Sequence, residues 1–293
     1  MSVIPVEFDL SFTDDGHRLV YDLYGSSAAP LVLYLHGLLL DAELNRGIAQ
    51  ALAEQGYRVA LLDLLGHGRS DKPTHASTYR IDSYADQVIA LLDHLGVEKA
   101  VLGGISLGAN VSLFTAAHHP ERVQALVLEM PVLERAVPAA AMMFVPMVLA
   151  AHYGRWMLNV TSGLMRRVPR TRFGPLNSVM NAFSLPPDST SAVLHGVLVG
   201  PVAPTQEQRR AIAVPTLVLA HRNDVIHPFD DAVGLVARMP NAALVRARSP
   251  LELRLQPRRL TKEIVAFLSD VQAPRAAGHP TVPRDPQSTA GTT

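Results

Sequence analysis

A β-forming apolar run, Ala100-Val-Leu102, meets Gly103-Gly104, presents Ser106 between Gly104 and Gly108, and continues as a helical pattern to about His118. A strand that becomes a helix across one serine leaves that serine in a strained backbone conformation, with no room for bulk on either flank; Gly104 and Gly108 supply the room. The turn lifts the hydroxyl clear of the sheet edge. The N-terminal N–H groups and positive dipole end of the following helix point at the same spot. Ser106 is therefore the candidate nucleophile, and an ordinary glycine-rich strand-to-helix turn is the bland alternative.

The chain around this turn alternates strand and helix. Residues 7–13 and 18–24 read as strands joined by Asp14-Asp15-Gly16, which is hairpin chemistry. Continuous apolar runs at 30–36 and 58–63 fit strands buried on both faces, and 123–129 and 216–220 read as further strands. Helical patterns cover 42–55, 84–95, 230–239 and 258–268, with a last strand near 243–247. The expected fold class is α/β, a mostly parallel central sheet flanked by helices. The alternation breaks from 131 to about 204, a stretch rich in Ala, Met and Leu and punctuated by Pro. The expected division is a core of 1–130 and 206–270, a helical cap of 131–205 inserted after the sixth strand, and a disordered tail at 271–293, where Pro, Ala, Thr and Gly show no apolar period.

Composition narrows the partners. Lys plus Arg and Asp plus Glu number 26 each, so no net field favours nucleic acid or anionic lipid. The absence of cysteine removes disulfides, thiolate nucleophiles and Cys-based metal sites, and neither metal nor cofactor is expected. The first fifteen residues lack a basic-then-apolar leader, so a cytoplasmic location is expected. The apolar stretch 137–151 is shorter than the ~20 residues of a membrane span and contains prolines; it reads as a helix packed over a binding site.

Three other segments carry chemistry. His36-Gly37 ends a buried strand, and the backbone N–H of Leu38 just after it, with that of Leu107, would form a pair of donors for an oxyanion. The His36 side chain itself reads as bonded to backbone. Asp63-Leu-Leu-Gly-His-Gly-Arg-Ser70 lacks the lysine of a phosphate-binding loop and reads as a structural loop, which gives His67 no catalytic role. Residues 217–224 form a strand running into an acidic turn, where Asp224 could orient an imidazolium or simply cap the turn.

Together these residues resemble the α/β-hydrolase fold family: the loop of His36-Gly37, the segment Asp63 to Ser70, the elbow Gly104-Ile-Ser106-Leu-Gly108 and the acid turn occur in the family's order. The resemblance implies a serine nucleophile at Ser106, Asp224 as acid, and a histidine after the last strand. The chain departs from the pattern there. No histidine lies between His227 and His279, and the expected slot falls near Arg248 to Pro250, where a guanidinium cannot serve as a base. His227 in the acid turn is the candidate replacement, His221 the runner-up, and Glu129 an alternative acid. The expected function is a serine esterase-type hydrolase working through an acyl-enzyme at Ser106 on a small molecule; aspartate at the elbow, as in epoxide hydrolases and haloalkane dehalogenases, is absent. Met142, Met143, Phe144, Met147, Trp156 and Met157 suggest an apolar substrate. The alternative is a non-catalytic member of the fold that binds an apolar ligand or a protein.

Overall fold

The computed structural model describes residues 4–273 apart from 223 and 225. Strands β1 (Val6–Asp14) and β2 (His17–Tyr24) form the expected hairpin, closed by Asp15-Gly16. Then follow β3 (Leu31–Leu35), a 3-10 turn (Ala42–Asn45), α1 (Arg46–Ala53), β4 (Arg58–Asp63), α2 (Ile81–His94), β5 (Ala100–Ile105), α3 (Leu107–His118) and β6 (Val123–Glu129). Four helices come next: α4 (Val137–Tyr153), α5 (Arg155–Arg167), α6 (Gly174–Ala182) and α7 (Pro187–Val199). The core resumes with α8 (Gln206–Ala211), β7 (Thr216–Ala220), α9 (Phe229–Arg238), β8 (Ala242–Arg246), α10 (Glu252–Leu255) and α11 (Arg258–Gln272).

The eight strands lie in the order β1-β2-β4-β3-β5-β6-β7-β8, with β1 and β2 antiparallel to their neighbours and all other pairs parallel. The continuous apolar runs have the cause their composition suggests. In β3, Leu31, Leu33 and Leu35 enter one core cluster with residues of α2 and α3, whereas Val32 and Tyr34 enter the opposite one with residues of α1 and α11. Each such fully buried side chain contributes roughly 1.5–3 kcal/mol.

Two short helices escape periodicity, α8 and α10, being too brief to show a repeat; α8 is marked only by a capping box between Thr205 and Gln208. The expected tail start at 271 is corrected: α11 runs to Gln272, because Val271 continues the stripe of Leu260, Ile264, Phe267 and Leu268 and packs on the same core. The remainder of the expected tail, 274–293, lies outside the described residues.

The insertion 131–205 rests on the carboxyl-end loops of the sheet. Ser178 Oγ accepts from the Asp41 N–H, and Asn181 Nδ2 donates to Asp41 Oδ2 at 2.7 Å, which ties α6 to the loop after β3. Ser189 at the start of α7 donates to the Lys72 carbonyl in the loop after β4. Both ends of the insertion meet at the buried Asn110 of α3. Its Nδ2 donates to the carbonyls of Val132 and Val202, each at 2.6 Å, and its Oδ1 accepts from the Val132 N–H at 2.9 Å. Asn110→Leu would strand these backbone groups. Thermal or urea unfolding should show a loss of about 2 kcal/mol, and unchanged stability would mean that solvent reaches the freed groups.

Candidate active site

Ser106 stands at φ 54°, ψ −110°, between the last residue of β5 and the first of α3. A non-glycine residue held there costs on the order of 1–3 kcal/mol, which the surroundings must impose. They do so through backbone: the Ser106 N–H donates to the Glu129 carbonyl at 2.9 Å, and its carbonyl accepts from Asn110 N–H at 3.0 Å. The two glycines are needed for close approach. A Cβ on Gly104 or on Gly108 would lie 2.6 Å from the Leu35 carbonyl oxygen. Leu107 opens α3, so its N–H has no partner within the helix. Leu38 lies in the turn closed by Leu40 N–H to Gly37 O, and Gly37 packs against Ile105, the neighbour of Ser106.

His227 reaches this serine. Its Nε2 lies 3.0 Å from Ser106 Oγ, while its Nδ1 lies 2.9 Å from Asp224 Oδ2. The tautomer consistent with both contacts carries the proton on Nδ1, donated to the carboxylate, so that Nε2 accepts the serine O–H. Three residues of separation suffice because Asp224 folds its own turn: its Oδ1 accepts from the N–H of Ile226 at 2.8 Å and of His227 at 3.0 Å, which aims the imidazole across the carboxylate. Pro228 then leads into α9. Burial works to raise the Asp224 pKa, but the hydrogen bond and charge of His227 and the two backbone N–H groups outweigh it, and the carboxyl is held far below its usual range. Asp224 is thus ionised throughout the neutral and moderately acid range. His221, buried, places Nε2 3.2 Å from the same Asp224 oxygen. The imidazole on Ser106 is therefore that of His227, with His221 a second ring on the shared carboxylate.

The other sequence candidates take supporting positions. His36 Nδ1–H donates to the Gly37 carbonyl at 2.9 Å and its Nε2 accepts from the Leu64 N–H at 3.1 Å, pinning the loop after β3 to the loop after β4. Burial holds its pKa below the ordinary imidazole value. The Asp63–Ser70 segment is a structural loop: Asp63 accepts from the Ala42 N–H and from Arg69 N–H and Nε, while Ser70 Oγ accepts from Val20 N–H. His67 is buried against His36, with ring centroids 4.9 Å apart. Glu129 does not approach the imidazole as an acid. Its carboxylate is bound by Arg254 Nη1 and by the Tyr34 hydroxyl at 2.9 Å, on the far face of the sheet among the α1 and α11 residues.

Arg254 was not visible as a site-supporting residue in the sequence. It belongs to α10, in the loop after β8 where the resemblance would put a histidine, and it points inward with its side chain 2% exposed. Arg248, in the expected slot, donates its backbone N–H to Glu252. Burial works against the Arg254 charge, and the Glu129 carboxylate more than offsets it. The available signal was Glu129 itself, an acid ending an apolar strand, which requires a buried partner. Among the described residues no cluster of three or more His, Asp or Glu could hold a metal ion.

Of the side chains expected to shape an apolar site, Phe144 packs on the core, but Met142, Met143, Met147, Trp156 and Met157 face solvent.

Comparison with known proteins bears on the fold. The chain is 37% identical over 114 residues to a putative non-heme haloperoxidase of Mycobacterium phage D29, a match covering 39% of this chain and 40% of that one. It is 35% identical over 117 residues to epoxide hydrolase 4 of Mus musculus, covering 39% of this chain and 32% of the relative. The matched stretches thus span well under half of these relatives. Among solved structures, the enol-lactonase from Burkholderia xenovorans LB400 superimposes with a TM-score of 0.72 at 21% identity, over 89% of this chain and 100% of that one. The family described as alpha/beta hydrolase fold matches residues 30–246. With the sheet order and the serine turn already described, the chain belongs to the alpha/beta hydrolase fold family.

Proposed function

We propose that this chain is a serine hydrolase acting on a carboxylic ester or lactone of small size, with Ser106 as nucleophile, His227 as general base and acid, and Asp224 as its orienting carboxylate. The observation that carries the reading is the unbroken Ser106–His227–Asp224 relay, at 3.0 Å and 2.9 Å. Ser106 Oγ attacks the carbonyl carbon as its proton passes to His227 Nε2, and the carbonyl π pair moves onto oxygen. The N–H groups of Leu38 and Leu107 receive that oxyanion. Collapse expels the alkoxide, which takes the proton from Nε2; water then repeats the sequence on the acyl-enzyme and frees the acid. The relatives and neighbours, named as epoxide hydrolase and enol-lactonase among others, support hydrolysis in general. The serine at the elbow, in place of a carboxylate, supports the acyl-enzyme form. The non-catalytic reading rested on the lack of an imidazole after β8; with His227 on Ser106 that ground is weakened.

The test is a fluorophosphonate probe followed by peptide mass mapping. A single adduct on the peptide bearing Ser106 is expected. An adduct elsewhere, or none under conditions that label a control esterase, overturns the reading.

A further inference from the structure

Helix α5 is amphipathic in the inverse sense. Ser162 is its buried residue, whereas Trp156, Met157, Val160 and Leu164, a stripe at helical spacing, are all at least half exposed. Tyr153, the last residue of α4, is 79% exposed just before α5 begins. Helix α4 buries only Ala151 and shows Met142, Val145 and Leu149 to solvent at the same kind of spacing. Single exposed apolar residues are ordinary on a protein surface, but rows of them on two successive helices mark an interaction site.

Charge identifies what the patch fits. The whole chain is balanced, yet between residues 137 and 205 its charged residues are Arg155, Arg166, Arg167, Arg170, Arg172 and one acid, Asp188. Asp188 is taken by Arg155. Among the described residues the other four guanidinium groups have no carboxylate partner; Arg166 and Arg170 donate to backbone carbonyls and amide or hydroxyl oxygens near the end of α5. Arg166 and Arg170 are thereby turned toward Ser184, and Arg166 lines a cavity with Asp41 and Asn181; the exposed Arg167, in helical register with Trp156 and Val160, and the exposed Arg172 are the two beside the stripe. Tyr and Trp beside arginine, over aliphatic side chains, are the residues that settle at the boundary between acyl chains and headgroups. A second copy docked through the same two helices would bring a single acid, Asp188, already held by Arg155, and so no partner for these guanidinium groups.

Crossing a bilayer is a poorer fit. No single described helix is long and apolar enough to span, and α4 and α5 satisfy the length and composition only as a pair bent by 99°, with Arg155 just past the bend. A bent pair can lie in the headgroup plane with both apolar faces down. We propose that the outer face of α4 and α5 docks on an anionic lipid bilayer, the tryptophan and aliphatic stripe entering the acyl boundary and Arg167 and Arg172 meeting lipid phosphates. This docking does not depend on the chemistry assigned to Ser106.

Trp156 is the sole tryptophan of the chain, so its fluorescence reports on the patch without labelling. The full chain mixed with vesicles of equal parts phosphatidylglycerol and phosphatidylcholine should sediment with them and shift its emission to the blue. Brominated acyl chains should quench that emission, and pure phosphatidylcholine should bind far more weakly. Neutralising two arginines without carboxylate partners, Arg167→Gln with Arg172→Gln, should weaken vesicle binding about 25-fold, near fivefold for each charge. Val160→Ser with Leu164→Ser should weaken it at least tenfold; circular dichroism serves as the folding control for these exposed positions. Protein left in the supernatant with unshifted emission overturns the proposal. So does vesicle binding indifferent to lipid charge and to the arginine variant, or a blue shift without lipid that accompanies dimerisation in sedimentation equilibrium.

Discussion

His227→Ala is expected to lower kcat on an activated ester by roughly 10²–10⁴-fold, the range for a lost general acid–base group. The side chain touches Ser106 Oγ through one nitrogen and Asp224 through the other, so its removal takes away both the proton acceptor and the link to the carboxylate. Ser106→Ala and the double variant should fall to a common floor, since groups acting as one unit are not additive. Melting temperature should change little, because the backbone of the turn is held by the Asp224 carboxylate and not by the imidazole. His221→Ala separates the two rings that share Asp224: a smaller loss of rate is expected there. If His227→Ala keeps full activity while His221→Ala abolishes it, the assignment is reversed.

Arg254→Ala should destabilise the protein by about 3–5 kcal/mol, the cost of leaving a buried charge without its partner. In a domain of this size that is roughly a 10 °C fall in melting temperature. The guanidinium is almost wholly enclosed, bound to Glu129 and to Asn45 Oδ1 at 2.7 Å. Arg254→Met combined with Glu129→Leu should recover most of the loss, because the expense lies in the orphaned carboxylate. A single variant that unfolds no more easily than the parent would show that water or another cation reaches Glu129. The pair also bears on Ser106: Glu129 supplies the carbonyl that receives the Ser106 N–H, so a displaced end of β6 would disturb the strained turn.

These two positions also show where the sequence was readable. Ser106 was legible because its constraint is local: two flanking glycines, a strand before and a helix after. Asp224 and His227 were legible as neighbours, since one carboxylate folds a turn within three residues. So short a turn delivers the ring because Asp224 uses one oxygen for the backbone and the other for the imidazole. Arg254 and Glu129 are 125 residues apart, and no period or motif announces which buried acid meets which arginine. The same limit applied to Asn110, whose partners lie 22 and 92 residues away. In the helices of the insertion, spacing disclosed an apolar stripe but not its direction; side chains expected around a substrate face outward instead.

The Asn110 contact has a consequence for how this fold tolerates change. Two carbonyls, one at either foot of the insertion, sit 2.6 Å from the same nitrogen, so the chain leaves and returns through a single gate. Strands β6 and β7 are adjacent and parallel whatever the chain does between them. The outer helices α4 and α5 can therefore lengthen or shorten at the small entropic cost of a longer loop, whereas α7 cannot be exchanged so freely, because its Val193 and Leu194 are fully buried in the core.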